Sequence, residues 1–247
     1  PDVMYAARAP GESVFSVFAV QRAADLDYSL VSLLNAGFDA NGEPVIVWLD
    51  NGQLIAAQNL AEAWLIEPVD ELVCDCCRPV VVDWAGDVTI VYRNVELDDE
   101  NRTIRDIFVT YPDAFPDSDQ QVRVSDRHWY INACPVSGPD AAVYGDRLAV
   151  VWMDARNASD DNLFVSDVWL AFAEQNGEIS RNVALNPLEG YYNNHPVITL
   201  GQDGVAHVIW AGQKGMEKHL LYASANAVGE LKGPLLLASS ADVQARG

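Results

Sequence analysis

The sequence predicts an all-β fold: a β-propeller built from four-stranded antiparallel blades. Three observations predict it. A strand–turn–strand unit recurs four times along the 247 residues, further strands follow each copy, and helix-period segments are almost absent.

The chain opens on "DVMYAARA" (2–9), which aligns with later third strands, so 1–27 is expected to supply the outer strands of a partial blade. The blade expected over 28–71 has the inner pair "NAGFDANGEPVIVWLD" (35–50). Its stretch "NLAEAWLIEPV", the one helix-like segment, falls where a third and fourth strand belong. The blade over 72–126 starts its inner pair at "RPVVVDWAGDVTIVYRN" (78–94) and continues through "DIFVTYPD" (106–113) and "QQVRVSD" (120–126). The blade over 127–186 holds "GPDAAVYGDRLAVVWMDAR" (138–156) and "DVWLAFAE" (167–174). The blade over 187–240 holds "HPVITLGQDGVAHVIWAGQ" (195–213), "HLLYASAN" (219–226) and "GPLLLAS" (233–239), leaving 241–247 as the start of a next blade. A unit of about 44 to 60 residues fits a propeller blade, and six blades are expected in the complete ring.

Local chemistry supports each unit. Asn-Gly, Gly-Asp and Asp-Gly pairs suit tight hairpin turns. Pro79, Pro139 and Pro196 are expected as first strand residues, where no ladder donor is lost. Trp48, Tyr92, Trp152 and Trp210 recur near the ends of the second strands and are expected to pack between blades.

Fifteen basic against 36 acidic residues give a net charge of −21, which argues against nucleic acid and anionic membranes as partners. No apolar run reaches the ~18 residues of a membrane span, and no signal peptide opens the chain.

In an up-and-down blade, the links between blades and the links from second to third strand share one face. That face is expected to gather Cys74, Cys76, Cys77 and Arg78, then Arg93, then His128, Trp129, Tyr130 and Cys134. Asp50, Asp154, Arg156, Tyr191, Tyr192 and His195 follow on the same side. Cys74 and Cys134 each stand five residues before their proline, so the four sulfurs are expected to converge near the channel mouth. Three chemistries suit them. A disulfide from Cys74 or Cys77 to Cys134 would brace neighbouring blades by roughly 3–4 kcal/mol. Thiolates of Cys74, Cys76, Cys77 and Cys134, completed by His128 or His195, could hold Zn(II) or Cu(I). Cys74 and Cys77 also form a Cys-x-x-Cys pair, without the βαβ context of thioredoxin-like proteins. Arg78, Arg93 and Arg156, beside Trp129 and Tyr130, could grip an anionic ligand; alternatively Arg93 and Arg156 pair with Asp106 and Asp154 to fix loops.

The segments "VYRN…RDIFVTY", "VVWMDARN…DVWLAF" and "HVIWAGQ…HLLYASA" resemble the sialidase-like, BNR-repeat propellers of exported bacterial proteins. The Asp-box of those proteins (Ser-x-Asp-x-Gly-x-x-Trp) is nowhere intact; "ARAPGESVFS" (7–16) and "ASANAVGE" (223–230) are similar to decayed copies. The early Phe/Tyr-Arg-Ile-Pro motif is absent. The resemblance implies an extracytoplasmic protein. It also implies a sialidase-type site, with Tyr191 or Tyr192 as nucleophile beside Glu189 and with Asp50 or Asp154 as the acid. The expected function is a binding or scaffold module whose cysteine-bearing face takes a metal ion or a small anion, and the expected partners are a small molecule, a glycan or a metal. The alternatives are a sialidase-like glycoside hydrolase and a structural interaction propeller with disulfide-braced blades.

Overall fold

A computed structural model describes residues 2–21, 31–60, 63–110, 121–158, 165–186 and 190–240. Its strands, in chain order, begin with β1 (Val3–Ala7), β2 (Ser16–Gln21), β3 (Ser32–Phe38), β4 (Pro44–Asp50), β5 (Gln53–Leu60) and β6 (Ala63–Asp70). Next come β7 (Val80–Trp84), β8 (Asp87–Arg93), β9 (Glu96–Leu97), β10 (Thr103–Ile104), β11 (Ile107–Thr110) and β12 (Gln121–Arg123). Then follow β13 (Asp140–Tyr144), β14 (Arg147–Asp154), β15 (Asp167–Glu174) and β16 (Val183–Ala184). The last are β17 (Tyr192–Leu200), β18 (Ala206–Lys214), β19 (Glu217–Ala225) and β20 (Leu231–Ser239).

Four sheets have four antiparallel strands each: β3-β4-β5-β6, β7-β8-β11-β12, β13-β14-β15-β16 and β17-β18-β19-β20. Among the described residues β1 and β2 form a two-stranded sheet, and the hairpin β9–β10 is inserted between β8 and β11. The helix-like stretch around Leu65 is the β5–β6 hairpin, as its place in the repeat requires. β3 touches β7, β7 touches β13, and β13 touches β17, so the first strands stand side by side as the inner strands of consecutive blades. The molecule is an all-β propeller.

The period-two alternation of strands explains how the blades stack. In β4, Val45, Val47 and Leu49 face the β7–β12 blade, while Ile46 and Trp48 face β1 and β2. In β14, Leu148, Val150 and Trp152 face the preceding blade, and Ala149 and Val151 the following one. Sheets covered on both faces need second strands with no polar side, which is why β4 is buried along its whole length. β18 alternates between buried and exposed because one face of its blade is uncovered among the described residues. Trp48, Tyr92, Trp152 and Trp210 are all fully buried, and each sits in the layer toward the preceding strands. At about 3–5 kcal/mol for truncation of such an aromatic, these layers are the main source of cohesion.

The turns are tight where the sequence predicts them. Ala85 and Gly86 both take positive φ between the paired Trp84 and Asp87, the two-residue geometry that matches strand twist. β7 and β13 start immediately after Pro79 and Pro139. β17 departs from this rule: it starts at Tyr192, four residues before Pro196, and accommodates His195 and Pro196 through a register shift between Asn194 and Val197.

Candidate functional site

The β6–β7 link carries three cysteines and is zipped to the chain leaving β8. The Cys74 amide donates to the Arg93 oxygen over 2.9 Å, and the Val95 amide donates to the Leu72 oxygen over 3.1 Å. A tight turn follows, in which the Cys77 amide donates back to the Cys74 oxygen over 3.1 Å. That turn sets Cys74 and Cys77 side by side, pointing inward, with both side chains 1% exposed. Their sulfurs are 2.7 Å apart and share a hydrogen bond. Cys76 points the other way, toward the neighbouring β12–β13 link, and forms a disulfide with exposed Cys134 across 58 residues of sequence, Cα to Cα 6.3 Å. The partner of Cys134 is therefore Cys76, not Cys74 or Cys77. Matching the prolines aligned the links correctly, but the turn decides which sulfur faces outward.

The expected metal shell is not assembled in this arrangement. Cys74, Cys76 and Cys134 do place their sulfurs within 4.8 Å of one another, but two of these are joined and offer no thiolate. His128 and His195 do not belong to that group: His128 is bound to Asp106, and the His195 amide donates to Ser137 Oγ over 3.1 Å. What remains is a buried dithiol beneath a surface disulfide. The hydrogen bond with Cys77 draws the Cys74 thiol down to about 6; burial opposes this, and the charges of Arg105 and Arg93 assist it. The same hydrogen bond and burial push Cys77 upward.

The arginines are committed to structure. Arg93 is 1% exposed and lies over the Trp129 ring, 5.1 Å from its centre. Its guanidinium donates to the main-chain oxygens of Arg105 at 2.8 Å, Met153 at 2.7 Å and Ser137 at 3.4 Å. It thus ties its own blade to the next and does not pair with Asp106. Arg156 pairs with Asp154, as the structural alternative anticipated, and with Asp126 over 2.7 Å. It stacks 4.7 Å from the centre of Trp169. Arg78 alone is exposed, its Nε donating to the Leu34 oxygen over 3.2 Å. The three guanidinium groups do not form a carboxylate clamp.

The candidate catalytic groups are likewise dispersed. Asp154 is buried and accepts from Trp152 Nε1 over 2.9 Å as well as from Arg156. Asp50 is buried at the end of β4. Tyr191 packs against the His219 ring at 5.4 Å, Tyr192 opens β17 as a partly exposed residue, and Glu189 lies outside the described residues.

A different constellation stands beside the cysteines. Buried Asp106 accepts from the Trp129 amide over 3.0 Å, from His128 Nδ1 over 2.7 Å and from Arg123 over 3.3 Å. Glu96, Asp106 and His128 bring their polar atoms within 4.8 Å of one another. Tyr130 is 45% exposed, with Arg102 over its ring at 4.3 Å and His128 at 6.0 Å. The β9–β10 hairpin is tied to this link, because Ile131 donates to the Thr103 oxygen over 3.0 Å and Arg105 donates to the Trp129 oxygen over 3.0 Å. Sequence reasoning named His128, Trp129 and Tyr130 but missed Glu96 and Arg102 and gave Asp106 the wrong partner. The available signal was the aspartate recurring at the start of third strands. Asp167, its counterpart, holds Asn157 over 2.8 Å and Asn186 over 3.2 Å on the same face. Trp129 is buried under Arg93 and is not open to a ligand.

No family model matches the chain, and no curated protein matches it in sequence. Among solved structures, it is similar to the α-L-arabinanase of Penicillium chrysogenum complexed with arabinobiose: TM-score 0.50 at 11% identity, over 82% of this chain and 66% of that one. It is also similar to the GH93 α-L-arabinofuranosidase of Fusarium graminearum with arabinobiose: TM-score 0.52 at 9% identity, over 83% and 65% of the two chains. A protein of unknown function from Dyadobacter fermentans matches with TM-score 0.50 at 12% identity, over 83% and 68%. This chain spans about two thirds of the length of the structures it matches. At such identities the likeness carries the fold and no activity. With its stacked four-stranded blades, the chain has the β-propeller fold that its repeats predict.

Proposed function

We propose that this propeller is an extracytoplasmic carbohydrate-binding module, with its ligand face on the side that carries the cysteines. The observation that carries this reading is the exposed Tyr130 ring, flanked by Arg102 and His128, with Glu96 close to His128. An exposed aromatic face among fixed polar groups suits the apolar face and hydroxyl rim of a sugar. A neutral glycan is favoured over a sialoside, because Arg93 and Arg156 are occupied and the chain carries a net charge of −21. Binding is favoured over hydrolysis because Asp154 and Asp106 are buried with their oxygens taken. Both enzymes just described are complexed with arabinobiose, so arabino-oligosaccharides are the first ligands to try. The Cys76–Cys134 disulfide supports an oxidising compartment.

The test is a panel of neutral oligosaccharides on immobilised protein, with product analysis in parallel. Binding lost in Tyr130→Ala without released sugar supports the reading. Turnover of any glycoside, or a panel with no ligand, refutes it.

A further inference from the structure

The four cysteines form two layers. Cys134 is exposed and Cys76 half-buried, and together they hold a disulfide that ties the β6–β7 link to the β12–β13 link. Cys74 and Cys77 lie buried directly beneath as free thiols. Cys74 bridges the layers: its sulfur is 3.5 Å from Cys76 Sγ and 2.7 Å from Cys77 Sγ. The dithiol is in direct contact with the disulfide, so an exchange step needs no large movement of the chain. The local backbone is also fixed for this contact, through the Cys74 amide bond to Arg93 and the tight turn to Cys77.

We propose that these sulfurs are an intramolecular thiol–disulfide exchange centre, in which Cys74 and Cys77 take over the disulfide held by Cys76 and Cys134. In the first step the Cys74 thiolate attacks Cys76 Sγ. A Cys74–Cys76 bond forms, the Cys76–Cys134 bond breaks, and Cys134 leaves as a thiolate into solvent, where it takes a proton. In the second step Cys77 gives its proton to water and attacks Cys74 Sγ, and Cys76 leaves as a thiolate that is protonated in turn. One disulfide and two thiols are present before and after, so no outside oxidant or reductant is needed. The nucleophile is prepared by its surroundings: Arg93 and Arg105 lie close enough to favour the Cys74 anion, and Cys77 Sγ is within 2.7 Å of it for the second step. The leaving group is the most exposed of the four sulfurs, where water can take up its charge. Exchange would unfasten the two links next to Tyr130 and leave a free thiol, Cys134, on the surface for a second thiol or a soft metal ion.

The test traps Cys134 as it is released. The folded, unreduced chain is incubated with iodoacetamide at neutral pH, and its peptides are mapped without reduction. The expected result is carbamidomethylated Cys134 together with a new Cys74–Cys77 disulfide. In Cys74→Ser, labelling of Cys134 should slow at least tenfold. Cys77→Ser is the second variant if that one fails to fold; it should still label Cys134 and stop at a Cys74–Cys76 bond. An unlabelled Cys134 in the wild-type chain would overturn the proposal, as would equal labelling in Cys74→Ser or a purified chain with no thiols or four. None of these readouts involves sugar, so failure here leaves the glycan reading standing, and the reverse also holds.

Discussion

Arg93 in β8 donates to the Met153 oxygen in β14 over 2.7 Å, so one buried guanidinium binds two neighbouring blades. The same group also reaches the Arg105 oxygen, which sets the link that carries the candidate ligand residues. Lysine has a point charge on a flexible stem and cannot reproduce this fork. Arg93→Lys is therefore expected to cost about 3 kcal/mol, read as a lower urea midpoint with an unchanged slope. A loss below about 1 kcal/mol would mean that the blades are held without it.

Gly138, in one cysteine-bearing link, packs directly against the Arg78 backbone of the other. A Cβ at this position would lie 2.2 Å from the Arg78 oxygen, so the backbone itself would have to move. Gly138→Ala is expected to destabilise the fold by about 1–3 kcal/mol and to lower the yield of the Cys76–Cys134 disulfide. Peptide mapping without reduction measures the second effect.

These two sites show where sequence reading succeeds and where it stops. Trp48, Tyr92, Trp152 and Trp210 were legible because strand periodicity fixes which way a residue points, and repetition confirms it four times over. Convergence of the cysteine segments was legible for the same reason. The choice of Cys76 over Cys74 was not, because it depends on a single turn between Cys74 and Cys77. Nor were the roles of Arg93 and Asp106, whose partners are main-chain oxygens of β14 and of the links, an amide and a histidine. Hydrogen bonds to backbone leave no trace in residue pairing, so charge matching proposed Asp106 for Arg93 and failed.

The disulfide has its own stability signature. Cys76→Ser opens a loop closed across 58 residues, which in the chain-entropy model costs about 4 kcal/mol. Thermal unfolding of the variant against the wild type, both without reductant, measures it. Equal midpoints would mean that the bond is absent from the folded chain.

The inner thiols predict a pH dependence. Cys74 is drawn from its usual 9 to about 6 by the hydrogen bond with Cys77, against the cost of burial, with help from Arg105 and Arg93. A folded value below the unfolded one means that the fold prefers the thiolate. The resulting stability is fully present above pH 9 and is lost as pH falls through 6. Cys77 is shifted the other way, so it offsets this gain only above pH 9, where the unfolded chain would ionise it. The urea midpoint difference between wild type and Cys74→Ser should therefore grow between pH 6 and pH 8. A difference independent of pH would show that Cys74 stays protonated.

Calorimetric titration of wild type and Tyr130→Ala with a neutral arabino-oligosaccharide tests the proposed ligand face. One site is expected on the wild type and at least a tenfold weaker affinity in the variant, at unchanged thermal stability. Equal affinity in the two proteins, or heat from a sialoside alone, would contradict it.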